Sequence, residues 1–109
     1  MIVKGDAEPS AAIRERVARA REKQLERFNG RKIYANAQMG TREVRQFCRT
    51  GREEERLLET AVNKLGFSAR AFDRSLKVAR TIADLAGESE ISPAHLSEAI
   101  QYRAMDRYY

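Results

Sequence analysis

The segment over residues 68–87 constrains the chain most: a serine, then Phe72, Leu76, Ala79, Ile82, Ala83 and Ala86 at intervals of three or four, then Gly87. That spacing gathers the apolar residues on one side of a helix. Ser68 supplies an N-cap oxygen, and Gly87 tolerates the left-handed conformation that ends helices. A helix with so many small residues on its apolar side is not stable alone and must pack closely against others. Its neighbours repeat the pattern. Residues 52–65 open with Glu53, Glu54 and Glu55, where the positive end of the helix dipole favours carboxylates. They present Leu57, Leu58, Ala61, Val62 and Leu65 as the expected buried side, and Gly66 ends them. Ser92-Pro93, a cap followed by proline at the first helical position, starts another helix that carries Leu96, Ala99 and Ile100 and reaches about residue 105.

Ahead of these, Ser10 is the expected cap of a long helix over residues 11–28, whose apolar stripe of Ile13, Val17, Ala20, Gln24 and Phe28 is narrow. Asn29-Gly30 is its stop. Residues 31–40 have no steady period, although Ile33, Tyr34 and Met39 give them something to bury, and an ordered connection is expected there. Thr41 is the expected cap of a short helix over residues 42–48 with Val44, Phe47 and Cys48 on one side. No segment alternates as a strand does. The chain reads as all-α: a linker over residues 1–9, a linker helix over 10–30, and a small helical bundle over 31–109 with part of the first helix docked on it.

A length of 109 residues suits one domain. One cysteine and one histidine supply neither a disulfide nor the ligands of a zinc site. No Gly-rich phosphate loop ends in Gly-Lys-Ser/Thr, so the chain is not a complete nucleotide-hydrolysing enzyme. No stretch approaches the length of a membrane span and the start has no apolar centre, so a cytoplasmic, soluble protein is expected. His95 has no nucleophile or carboxylate arranged around it and is expected on the surface or in a capping turn. Cys48 is expected as a small core residue. Asp73 with Lys77 and Asp84 with Glu88 have ordinary helix-surface spacings.

The net charge of +5 is concentrated at the front, where residues 1–32 hold nine Lys+Arg against five Asp+Glu. Arg14, Arg16, Arg19, Arg21, Lys23 and Arg27 line the first helix, interleaved with Glu15, Glu22 and Glu26. Two readings stand: a solvated face with local helix pairs, or a surface for nucleic acid or another polyanion. On the fourth helix, at 100° per residue, Arg70, Arg74 and Lys77 form a stripe opposite the apolar one. Arg70 lies in the first turn, where the dipole disfavours a cation, which singles it out. A guanidinium holds two phosphate oxygens and stays charged at any working pH. The stripe is either the wet side of the helix or a phosphate reader.

Four stretches carry a resemblance in one order along nearly the whole chain: residues 8–17 (EPSAAIRERV), 36–39 (NAQM), 68–85 (SARAFDRSLKVARTIADL) and 91–103 (ISPAHLSEAIQYR). They resemble the C-terminal region of magnesium-chelatase-like AAA+ ATPases of the YifB/ComM type. The resemblance implies a helical lid with its preceding linker helix, belonging to a protein whose ATP-binding core lies elsewhere in its chain. In such ATPases an arginine at the start of one lid helix, the sensor-2 position, reaches the γ-phosphate, and Arg70 matches it. Arg74 is a weaker candidate for the nucleotide or for a neighbouring subunit. ATP is then shared with the core, Mg2+ is held by the core, the partners are that core and the neighbours in a ring hexamer, and DNA enters through branch migration. The chain alone is not expected to be an enzyme. The competing expectation is a DNA-contacting or subunit-contacting helical module without a direct nucleotide role.

Overall fold

The computed structural model describes residues 9–106. Its elements are α1 (Ser10–Arg27), α2 (Thr41–Phe47), α3 (Arg52–Leu65), α4 (Ala69–Leu85) and α5 (Pro93–Asp106), with a 3-10 turn at Asn36–Gln38 between α1 and α2. Among the described residues there is no strand, and no helix is long and apolar enough to cross a membrane. Residues 1–8 of the linker expected over 1–9, and the terminal Tyr108 and Tyr109, lie outside the described residues.

The small apolar residues of α4 make it the centre of the domain. Ala79 and Ala83 are fully buried and let neighbouring backbones approach. Helix α5 packs along α4 and bridges it to α3, while α1, α2 and the 3-10 turn pack on other sides of α4. The main core joins Leu58, Leu76, Ala79, Ala83, Ile91, Leu96 and Ala99 to Phe28, Met39, Val44 and Cys48. Leucines as buried as Leu58 and Leu96 contribute about 1.5–3 kcal/mol each. A smaller cluster of Ala61, Phe67 and Ala71 closes the end between α3 and α4. Helix α3 has its main contact with α5 alone, so only Leu58 and Ala61 are buried on it and Leu57 is half-buried. Val62 and Leu65, expected inside, are exposed.

The caps divide into two kinds. Ser68 Oγ accepts from Ala71 N–H at 3.1 Å, as expected. Ser92 Oγ accepts from His95 N–H at 3.2 Å while His95 Nδ1 accepts from Ser92 N–H at 3.0 Å, a reciprocal box that places the histidine in a capping turn. Gly66 ends α3 in the left-handed region at φ 68°, which explains the glycine. Two expected caps are displaced by one residue. Pro9 precedes α1 and its carbonyl accepts from Ala12 and Ile13, so Ser10 is the first helical residue and not a side-chain cap. Gly40 precedes α2, and Glu43 Oε1 accepts from its N–H at 2.8 Å, so Thr41 does not cap.

Helix α1 docks through its C-terminal half. Ala20 is its one buried residue, and Phe28, just past its end, sits in the main core with its ring edge-on to Phe47 at 5.5 Å. The Arg31 guanidinium covers the same Phe47 ring at 5.1 Å. Ile13, Val17 and Leu25 remain exposed, as does Tyr34, which was expected to be buried in the connection.

Candidate functional site

Arg70, Arg74 and Lys77 project from one side of α4, as the helical repeat requires, and line a single open cleft of about 630 Å³. One wall is the connection around Met39, Gly40 and Thr41; the other is the face of α5 bearing Ala99, Tyr102 and Arg103. Asp73 is the one acidic side chain among the lining residues. The volume falls within the ordinary range of small-molecule sites, roughly 300–1,000 Å³. Arg70 and Arg74 are exposed, and among the described residues neither guanidinium has a hydrogen-bond or ion-pair partner. Lys77 Nζ reaches only the carbonyl of Ala37, at 3.5 Å. Ser75, nearly fully buried in the same lining, has a hydroxyl oxygen with no partner. A cleft with unengaged cations on one side suits an anion. Its lining residues include no Gly-rich backbone cradle of the kind that holds a phosphate by itself.

The first helix divides its cations. Arg16, Arg19 and Lys23 line a shallow concavity with Asp84, Leu85, Ala86 and Gly87 at the end of α4, and Arg19 pairs with Glu15. Arg14 folds back onto the carbonyl of Ser10, and Arg21 lines an apolar groove between α1 and α4 with Val17 and Leu25. Arg27 is not on this face at all. It points inward, its two terminal nitrogens 2.8 and 2.7 Å from the two carboxylate oxygens of Asp84. This removes Arg27 from the candidate polyanion surface and Asp84 from the helix surface where its spacing with Glu88 had placed it.

Around Asp84 lies a buried polar cluster with no local sequence signature. Asn36 donates through Nδ2 to Asp84 at 2.8 Å and to Thr81 Oγ1 at 3.1 Å, accepts from Arg27 at 2.8 Å, and donates its backbone N–H to Gln24 Oε1 at 2.9 Å. Arg80 Nε lies 3.4 Å from Asp84, and the rest of its guanidinium donates to the carbonyls of Ser89 and Glu88 beyond α4, with a longer bond to that of Phe47. Burial alone would raise the Asp84 carboxyl; the hydrogen bonds from Arg27 and Asn36 and the charges of Arg27 and Arg80 outweigh it and hold the group below its ordinary value. Burial pulls Arg80 down from its ordinary value, against the opposing charge of Asp84.

Cys48 is buried in the core, and desolvation pushes its thiol up to about 11 despite the nearby charges of Arg80 and Arg27. It is therefore inert in the folded protein. Iodoacetamide at pH 8 is expected to alkylate the native chain about 100-fold more slowly than the urea-unfolded chain, since thiolate fraction sets the rate. Mass spectrometry over a time course checks this; equal rates would contradict the burial.

The family model for the magnesium chelatase subunit ChlI C-terminal domain matches residues 7–103. The competence protein ComM of Haemophilus influenzae is 49% identical over 100 residues, which are 92% of this chain and 19% of that protein. The uncharacterized protein YifB of Escherichia coli is 46% identical over 100 residues, with the same shares of 92% and 19%. An uncharacterized protein of Mycobacterium tuberculosis is 32% identical over 98 residues, 90% of this chain and 20% of its own length. The chain thus spans about a fifth of the length of the curated relatives it matches. With the family match running over nearly every described residue, the chain belongs to the magnesium chelatase ChlI C-terminal family and is the C-terminal domain of a magnesium-chelatase-like protein.

Proposed function

We propose that the domain is the helical lid of an AAA+ ATPase, and that Arg70 contacts the terminal phosphate of an ATP molecule held by the core domain of the same protein. The observation that carries this is the cleft itself: two guanidinia without a partner among the described residues, and an ammonium, on successive turns of α4 and lining open space. A nucleotide phosphate has the charge and the oxygen geometry that a guanidinium fork matches. Arg70, at the open end of α4 beside the Ser68 cap, meets the phosphate first. Arg74, one turn further, supports it or meets a neighbouring subunit of a ring hexamer. Lid closure then brings a fixed positive charge to the place where negative charge develops during phosphoryl transfer. The ATP and its Mg2+ are held by the core, and the resulting motion is used on DNA, as in branch migration.

The test uses the intact parent protein. Arg70→Ala is expected to leave the thermal unfolding midpoint unchanged, because the side chain is exposed and has no partner among the described residues, and to lower ATPase turnover by about 100-fold, the usual loss when one preorganised transition-state donor is removed. Turnover within twofold of wild type would overturn the reading.

A further inference from the structure

The buried cluster at the other end of α4 does something that core packing does not require. Asp84, Asn36 and Arg27 are polar groups joining three separate elements, α4, the 3-10 turn and the end of α1. Phe28 already supplies apolar docking next door. What the cluster adds is direction: a two-point guanidinium–carboxylate contact fixes an angle as well as a distance. Thr81 receives Asn36 and donates to the carbonyl of Lys77, so the same cluster runs up α4 to a cleft residue. The connection following Asn36 forms the cleft wall at Met39 and Gly40.

We infer that Arg27 and Asp84, bridged by Asn36, form the joint that sets the angle between α1 and the bundle, and thereby positions Arg70. This rests on the reading of the cleft given above. Arg70 and Asp84 are separated along α4 by about 21 Å at 1.5 Å per residue. Rotation of the bundle by about 10° about the Asp84 end therefore carries the Arg70 end through about 4 Å, more than the length of a hydrogen bond. Arg27 is a positioning residue: it touches no ligand, and it acts by holding the lever straight. A small shift at the joint becomes a loss of phosphate contact at the cleft.

A double-mutant cycle in the intact parent protein tests this, with Arg27→Gln, Arg70→Ala and the two combined. Arg27→Gln leaves Asp84 its contacts with Arg80 and Asn36, so the domain is expected to stay folded; should it unfold, Arg27→Lys, which keeps the charge and loses the fork, takes its place. The expected result is a fall in kcat of about tenfold for Arg27→Gln with KM for ATP within twofold, and a combined variant no slower than Arg70→Ala alone. If Arg70→Ala lowers turnover but the Arg27 variant leaves kcat unchanged, or lowers it by the same factor in both backgrounds, the joint is overturned and the cleft stands. If Arg70→Ala has wild-type turnover, both fall together.

Discussion

Replacing Asp84 by asparagine is expected to destabilise the domain by about 3–5 kcal/mol, the usual result of removing one partner from a buried ion pair. The carboxylate is fully buried and its neighbour Arg27 is nearly so. Asparagine keeps the shape and loses the charge, leaving Arg27 and Arg80 on either side of a neutral amide with no carboxylate between them. For a domain of this size the thermal midpoint falls by more than about 12 °C, followed by far-ultraviolet circular dichroism. A drop of less than about 4 °C would show that the cluster is hydrated and carries little. Replacing both partners, as Arg27→Met with Asp84→Leu, is expected to recover part of the loss, because two charges no longer need compensation. Recovery is incomplete because Arg80 still borders the site.

The pH dependence follows from the direction of the Asp84 shift. Its folded value is depressed below the unfolded one, so its stabilisation is complete above the unfolded value of about 4 and is lost as pH falls through the folded value. The stability gap between the wild type and Asp84→Asn is therefore expected to be constant between pH 6 and 8 and to close only in strong acid. A gap that closes near pH 6 would require a raised carboxyl, contrary to the geometry.

Asp84 also marks where the sequence was legible and where it was not. Helices α3, α4 and α5 were readable to within a residue or so because their signals are local: Glu53 to Glu55 and Gly66, Ser68 and Gly87, Ser92-Pro93. The alignment of Arg70, Arg74 and Lys77 on one side of α4 was readable for the same reason, since 100° per residue fixes it. Asp84 lies on the helical wheel within about 40° of Arg70 and looks like part of the same wet face. It is buried only because α1 and the 3-10 turn cross α4 there, and no local pattern announces a crossing. Arg27 was misread among the surface cations for the same cause, its partner being 57 residues away. The walls of the cleft were equally invisible: Met39, Gly40 and Thr41 come from a segment without periodicity, and Tyr102 and Arg103 from the end of α5. The displaced caps at Pro9 and Gly40 were one-residue errors, where a backbone carbonyl or the Glu43 carboxylate serves the orphan amides in place of a hydroxyl.

Phe28→Ala is expected to release α1 from the bundle. The substitution removes a fully buried aromatic side chain and costs about 3–5 kcal/mol in a site that closes around it. The loss is local because the apolar docking of α1 is otherwise slight: Ala20 is its one buried helical residue, Ile13, Val17 and Leu25 lie outside, and what remains is polar, Arg27 on Asp84 and Gln24 on Asn36. Phe28 also supports the Phe47 ring on which Arg31 rests, so α2 loses packing as well. Leu58, Leu76, Ala79, Leu96 and Ala99 belong to the same core as Phe28, but the packing of α5 on α4 and on α3 keeps those three helices together. An undocked helix this polar frays in water. Hydrogen exchange should then show α1 amides losing protection by a factor of 100 or more, the equivalent of about 3 kcal/mol, while α4 and α5 amides keep most of theirs. Uniform loss across all five helices would mean that α1 and the bundle unfold as one unit. Retained protection in α1 would mean that its polar contacts, Arg27 with Asp84 and Gln24 with Asn36, suffice to dock it without the ring.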